Sequence, residues 1–96
     1  MKLYRQGDIL IKEVLEIPAD SLKRKTRVIL EGEITGHKHQ LTTGSVLDSG
    51  RGIFLDLPMG SNLEHEEHDT IELPEGKYQV IRQREYDENE IRRVED

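Results

Sequence analysis

Apolar residues along this chain come in short alternating runs, and glycine or proline ends nearly every run. The pattern predicts strands at residues 8–17, 27–34, 45–48, 53–57 and 77–86. Alternation with a period of two is typical of a strand that buries one face. Several such strands separated by tight turns predict a mainly β fold, either a small antiparallel β-barrel or a sandwich, with at most one or two short helices.

The alternation also predicts which side chains of the first two strands face the core. In the second strand we expect Val28, Leu30 and Ile34 to lie on one face, because residues two apart on a strand project to the same side. By the same parity the first strand has its own apolar face, formed by Ile9, Ile11, Leu15 and Ile17.

The chain has 96 residues, of which 33% are hydrophobic, and its aromatic residues are three tyrosines and one phenylalanine. This composition predicts one domain over residues 1–96 with a modest aliphatic core. Two charged segments stand apart from the strands. We interpret residues 22–26 as an exposed basic connection, and residues 87–96 as an acidic tail that either stays apart or docks as a short helix through Ile91 and Val94.

Net charge and cysteine content exclude several function classes. The formal net charge of −6 argues against a duplex DNA partner, which requires a basic footprint. There is no cysteine, so that a metal site has to use imidazole and carboxylate ligands. Neither a signal peptide nor a long apolar span is recognisable in the sequence, and we therefore expect no membrane association and a cytoplasmic location.

All four histidines of the chain lie in two short clusters, His37 and His39 in the first and His65 and His68 in the second. Imidazole ligates metals and moves protons near neutral pH. The clustering predicts that the four histidines line one site, although solvated loop histidines remain an alternative. In the leading interpretation His37, His39 and His68, with His65 as a further candidate, bind a divalent metal, which can be Zn, Ni, Fe or Mn, and Glu66 or Glu67 acts as a general base in hydrolysis.

The backbone conformation of residues 61–69 stays open at this point. Ser61-Asn62-Leu63-Glu64 fits a capping box that begins one helical turn. The alternative is an extended segment that leads into a strand at residues 70–73. A helical segment would place His65 and His68 on the same side, whereas an extended one would send only one of them into the site.

A second interpretation needs no metal. The same histidines would act as acid and base in a phosphodiesterase that cleaves RNA or a cyclic oligonucleotide, as ribonucleases and ring nucleases do. Phosphate oxygens would then be held by basic and hydroxyl side chains and by the backbone near a glycine. The candidate phosphate-binding residues are Thr35, Gly36, Lys38, Arg82, Arg84 and Tyr86.

A third interpretation is a non-enzymatic binding module that pairs with itself or with a partner through an exposed sheet edge. A small sheet with few aromatic residues would gain buried core by forming a homodimer. In the two enzymatic interpretations the partner is a small-molecule or oligonucleotide substrate, and the enzyme class is uncertain beyond a hydrolase.

Five segments together resemble a family of small, largely uncharacterised bacterial and phage-associated proteins. They are Tyr4–Leu10, Glu31–His39 with its Thr-Gly-His-Lys-His motif, His65–His68, Ile71–Val80 and Gln83–Asp87. The resemblance extends over most of the chain and implies a single domain, but it carries no activity with it. A more local likeness is to cupins, which also place a glycine shortly before an H-x-H motif and bind a metal there. No second cupin-type motif with its proline, glycine and histidine spacing follows in this chain.

Overall fold

The structure is a computed structural model that describes residues 2–32 and 34–82. Within these residues the chain forms short β-strands connected by turns, and no helix. The strands are β1 (Leu3–Gln6), β2 (Ile9–Val14), β3 (Leu22–Lys23), β4 (Val28–Glu31), β5 (Lys38–Leu41), β6 (Ser45–Ser49), β7 (Gly52–Leu57), β8 (Ser61–Glu64), β9 (Ile71–Leu73) and β10 (Gly76–Arg82).

The strands form two antiparallel sheets. One sheet has six strands in the order β1-β2-β10-β7-β6-β3, and the other has four in the order β4-β5-β8-β9. The arrangement is sandwich-like and does not close into a barrel, which confirms the predicted mainly β class and decides between its two forms. Among the described residues no helix is long and apolar enough to cross a membrane.

Aliphatic side chains from both sheets form the core, as the scarcity of aromatic residues predicts. On β10 the alternation is direct, since Tyr78 and Val80 are buried while Lys77 is exposed and Gln79 half-buried. Burial of such side chains contributes roughly 25 cal/mol per Å² of apolar surface removed from water. The core cluster comprises Ile9, Ile11, Ile29, Leu41, Val46, Leu55, Leu57, Leu63, Leu73, Tyr78 and Val80.

The prediction that Val28, Leu30 and Ile34 form the inward face of the second strand is wrong. Ile29 is buried, Val28 and Leu30 are half-buried, and Ile34 is almost fully exposed, beyond the end of the strand. The physical reason is a register shift in the β4–β5 pairing between Val28 and Leu30, which resets the alternation. The first predicted strand is also too long, because β2 ends at Val14 and Leu15 is exposed.

The basic segment 22–26 is more than an exposed connection. Leu22–Lys23 pairs with β6, and the Arg24 side chain is only 25% exposed. The guanidinium donates two hydrogen bonds to the Asp48 carboxylate, at 2.6 and 2.7 Å, and two more to the Val28 and Ile29 carbonyls, both at 2.9 Å. Arg24 thereby ties β6 of the larger sheet to β4 of the smaller one.

Two polar residues, Gln6 and His39, are buried among the described residues. Gln6 ends β1 of the larger sheet, and His39 lies in β5 of the smaller one. A hydrogen bond of 2.9 Å joins their side chains. One end of the sandwich interior is therefore polar, and this is the end to which the histidines belong.

Candidate functional site

Both histidine clusters reach the same end of the molecule, each by its own local geometry. His37 directly precedes β5 and His39 lies within it, so one strand start positions the first cluster. In the second cluster β8 ends at Glu64, and the chain then bends through residues 66–68 before β9 begins. The segment is thus neither the helical turn nor the continuous strand that the sequence left open. The bend brings both His65 and His68 to the site.

The imidazole rings of the four histidines are close neighbours. The His65 ring lies centrally, with its centroid 4.4 Å from that of His39, 4.6 Å from that of His68 and 5.7 Å from that of His37. The His39 and His68 rings are nearly parallel with centroids 6.4 Å apart. The predicted convergence of the clusters in space is confirmed, whereas the chemical roles of these residues stay predictions.

A glycine makes room for the outermost histidine. Gly7 lies in the turn between β1 and β2 with a φ of +58°, a region that favours glycine. A Cβ atom at Gly7 would come within 2.5 Å of His68 Nε2. The turn and the imidazole therefore depend on the absence of a side chain at this position.

His39 is the most deeply placed of the four, and its two ring nitrogens both have partners. Gln6 donates its amide to the carbonyls of Leu63, at 2.8 Å, and Asp69, at 2.9 Å. These two bonds determine the orientation of the amide, so that its Oε1 faces His39 Nδ1 at 2.9 Å. Nδ1 of His39 must then carry a proton, because it has to donate to this oxygen.

The second nitrogen of His39 faces another acceptor. His39 Nε2 lies 3.1 Å from Asp8 Oδ1. Burial of the imidazole lowers the pKa of His39, the Asp8 hydrogen bond opposes this effect, and the nearby His65 and His68 lower the pKa further, with a net lowering. In the neutral ring, Nε2 presents a lone pair beside the Asp8 carboxylate. Two acceptor atoms at this distance favour a proton or a metal cation between them.

His37 is held in a comparable way. Its Nδ1 lies 2.8 Å from Glu67 Oε1, and the carboxylate accepts a hydrogen bond from Nδ1–H. The Nε2 lone pair of neutral His37 has no hydrogen-bond partner among the described residues. His65 has the opposite arrangement, because the backbone N–H of Glu67 donates to His65 Nδ1 at 3.0 Å. In neutral His65 the proton lies on Nε2.

Glu66 lies exposed beside these rings and is held as a carboxylate. The backbone N–H of Lys38 donates to Glu66 Oε2 at 2.8 Å. This bond is the main cause of a lowered pKa for Glu66, and the positive potential near His37 and His65 lowers the pKa further. Glu66 is therefore held as an anionic oxygen donor near neutral pH.

One set of candidate ligand atoms is compact enough to surround a metal ion after a modest contraction. The ligand atoms of His37, His65 and Glu66 all lie within 4.8 Å of one another, the one such set of three among the described residues. His39 and His68 adjoin this set but are not part of it. The predicted ligands are therefore brought together unequally, with His37 and His65 closest to a binding geometry.

The predicted phosphate-binding residues are more scattered. A cleft of about 400 Å³ is lined by Thr35 and Arg82 together with His37, His39 and His65. Gly36, with a φ of +72°, lies in the turn before His37, and the Lys38 side chain lines a separate cleft beside Glu66. Arg84 and Tyr86 lie outside the described residues.

The sequence analysis did not identify Gln6 and Asp8 as site residues. Gln6 ends β1 and Asp8 lies in the turn that follows, whereas the sequence pattern only placed Asp8 at the start of a predicted strand and gave Gln6 no role. Gln6 shares the parity of the half-buried Tyr4 on β1, but a strand this short and polar gives no clear sign in the sequence that its amide is buried. No local signal in the sequence marks Asp8 as a neighbour of His39, which is 31 residues away.

Comparison with known proteins places the chain in a family and gives no activity. A family described as a domain of unknown function, DUF8820, matches residues 5–83, and the chain belongs to this family. No curated protein matches the sequence. No solved structure matches it either.

Proposed function

We propose that this protein binds a divalent metal ion at the histidine end of the sandwich and uses it in hydrolysis. The observation that carries the proposal is the approach of ligand atoms from His37, His65 and Glu66 to within 4.8 Å of one another. Two imidazoles and one carboxylate, with further coordination positions open, are the donor set of many catalytic metal sites. Such donors suit Zn, Ni, Fe(II) or Mn.

The hydrogen bond between His37 and Glu67 supports the proposal. A metal-bound imidazole ordinarily donates its other ring N–H to a carboxylate or a carbonyl, and this bond sets the tautomer and the ring orientation. Glu67 occupies that position for His37. Gln6 does the same for His39, which leaves the adjoining Nε2 and Asp8 oxygen as a second electronegative pair in the site.

Binding through His65 requires a local change. The Glu67 N–H donates to Nδ1, which occupies the lone pair of Nδ1 and leaves the proton on Nε2. Neither nitrogen can then ligate a metal, so this hydrogen bond must be released first. The bend at residues 66–68 is exposed, so that such a change does not disturb the core. We expect the Glu67 backbone amide to respond to metal binding more than the amides of the core strands.

In the hydrolytic role, a bound divalent ion lowers the pKa of a coordinated water molecule. His37 and His65 would hold the ion, and Glu66 would supply an anionic oxygen. Glu67 orients His37 through one oxygen, and its other oxygen makes no hydrogen bond within the described residues and is open to accept a proton. His39 and His68 form the wall behind the His65 ring.

Metal content and calorimetry test the proposal. Protein prepared without an affinity tag should contain or take up about one divalent ion per chain. His37→Ala and His65→Ala should each weaken binding by more than the roughly 10- to 100-fold that loss of a supporting residue costs. His68→Ala is the matched control, since its imidazole lies in the same cluster but outside the compact ligand set. Substoichiometric metal, or an equal loss in all three variants, would overturn the proposal.

A second candidate function is metal-independent cleavage of a phosphodiester by His37 and His65. One observation favours it: His37 has a free Nε2 backed by Glu67, as a general base requires, while His65 carries its proton on Nε2 and can donate. The substrate would be an RNA or a cyclic oligonucleotide. Cleavage that continues in excess chelator and stops in His37→Ala would establish this function in place of the first.

A further inference from the structure

Arg82 occupies a position at which the strand pattern expects an apolar residue. On β10, Tyr78 and Val80 project into the core, and Arg82 follows them on the same face at the end of the strand. Its side chain therefore points toward the polar end of the sandwich interior. The pairing of Arg82 with Ile9 places it beside the turn that carries Asp8.

The guanidinium of Arg82 has an unmet donor. Its Nε atom is buried and has no hydrogen-bond partner among the described residues. Its charge helps to lower the pKa of Asp8, yet no carboxylate of the described residues lies within ion-pair distance of the guanidinium. A buried donor without a partner is unfavourable, and in native proteins such groups are uncommon. The position is therefore suited to an oxyanion that enters the cleft.

The surroundings of Arg82 define the size and charge of that group. Arg82 lines the cleft of about 400 Å³ that also contains His37, His39 and His65. Among the lining residues it is the one whose positive charge does not depend on pH. A volume of this order suits a small molecule or one to two units of a polymer. The carboxylates of Asp8, Glu31 and Glu67 that also line the cleft disfavour a long polyanion.

We propose that Arg82 binds a phosphoryl group of the substrate, next to the histidine centre. This proposal rests on the proposed function, because it assigns a small phosphoester to the same cleft. The planar guanidinium donates to two oxygens of an oxyanion at once. A phosphoryl group has further oxygens for a metal ion or for the histidines, whereas a carboxylate has only two in total. Arg82 is a specificity-determining residue in this assignment.

The proposal is tested with phenylphosphonate, a stable phosphoryl probe, against benzoate, its carboxylate counterpart. Binding to the metal-free and to the metal-loaded chain is followed by NMR titration. Arg82→Gln should weaken phenylphosphonate binding by about 10- to 100-fold, the usual effect of losing hydrogen bonds to a charged group. Arg82→Lys should retain part of the affinity, since it keeps the charge but lacks the fork. Arg27→Gln is the matched control, because Arg27 lines the separate cleft near Gly44.

The outcomes separate this proposal from the metal proposal. If no metal binds but phenylphosphonate binding depends on Arg82, the metal centre is wrong and the phosphoryl assignment stands. If metal binds as proposed and Arg82→Gln leaves phenylphosphonate affinity within twofold of the parent chain, the Arg82 assignment is wrong and the metal centre stands. Benzoate binding equal to phenylphosphonate binding would also overturn the phosphoryl assignment. A thermal unfolding curve for each variant confirms that the chain is folded in every comparison.

Discussion

Two arginines at opposite ends of the β4–β5 strand pair have contrasting surroundings. The Arg24 guanidinium makes four hydrogen bonds, two to Asp48 and two to backbone carbonyls. Arg82 has a buried Nε without a partner among the described residues and lies in the cleft of the histidines. Both side chains are partly buried, so the difference lies in hydrogen bonding and not in exposure.

The comparison separates structural from functional polar groups. Arg24 and Asp48 pair with each other, and the remaining donors of Arg24 bond carbonyls of β4, so that the pair connects the two sheets. At the histidine end, His37 has a free nitrogen, His39 and Asp8 present adjacent acceptors, and Arg82 has an unmet donor. Polar groups that retain bonding capacity in a cleft are suited to a ligand. Four variants test this distinction.

The largest effect on stability is expected from Arg24→Met. The substitution leaves the Val28 and Ile29 carbonyls without their donor, and we expect the free energy of unfolding to fall by about 2–3 kcal/mol. Urea unfolding followed by circular dichroism measures the change. Arg27→Met is the control, since Arg27 makes one long bond of 3.2 Å to the Gly44 carbonyl. Equal effects of the two substitutions would contradict the structural role of Arg24.

Gly7→Ala should destabilise the chain by about 1–2 kcal/mol, because alanine is strained at a positive φ. Gly36→Ala is the matched control: its φ is +72°, and a Cβ there would meet nothing within 4 Å. Similar losses of stability are expected, but only Gly7→Ala should displace the His68 imidazole, as seen in the His68 ring resonances. Unchanged resonances in Gly7→Ala would show that His68 does not lie over Gly7.

Arg82→Met should not lower the free energy of unfolding, in contrast to Arg24→Met. Removing a half-buried guanidinium whose Nε has no hydrogen-bond partner among the described residues should leave stability unchanged or raise it by up to about 1 kcal/mol, because only its attraction to Asp8 is lost. The same urea experiment gives the value. A loss of more than about 1 kcal/mol would mean that Arg82 has a structural partner, and the contrast between the two arginines would fail.

The smallest effect on stability is expected from Asp48→Asn, and this effect disappears at acid pH. The hydrogen bond from Arg24 is the main cause of a pKa for Asp48 below its ordinary value of 3.8. A carboxyl with a lowered folded-state pKa stabilises the protein above the unfolded-state pKa, and this contribution is lost as the pH falls through the folded-state value. Asp48 is half-exposed, so that we expect a difference from the parent chain of less than about 1 kcal/mol at pH 6 and almost none at pH 2. A difference that grows toward acid pH would contradict the assignment.

Much of the fold follows from local pattern. Alternation and turn residues predict the antiparallel β class, and β6, β7 and β10 begin within one residue of their predicted starts. The prediction is wrong where a register shift resets the alternation at Val28 and Leu30, since a bulge depends on the partner strand as well as on the local sequence. Arg24 was assigned to solvent for a similar reason, because its acceptors on β4 and β6 are neighbours only in the folded chain.

For the candidate site, the sequence by itself determined which side chains are available and that the histidines form two clusters. It also determined that cysteine is not a ligand and that a mainly aliphatic core lies between sheets. Tertiary structure alone decided that the Gln6 amide bonds His39, that Asp8 faces His39, and that Arg82 enters the same cleft. These contacts join residues far apart in the chain, and their geometry depends on strand order and on the bend after β8. Short-range sequence patterns contain no information on either.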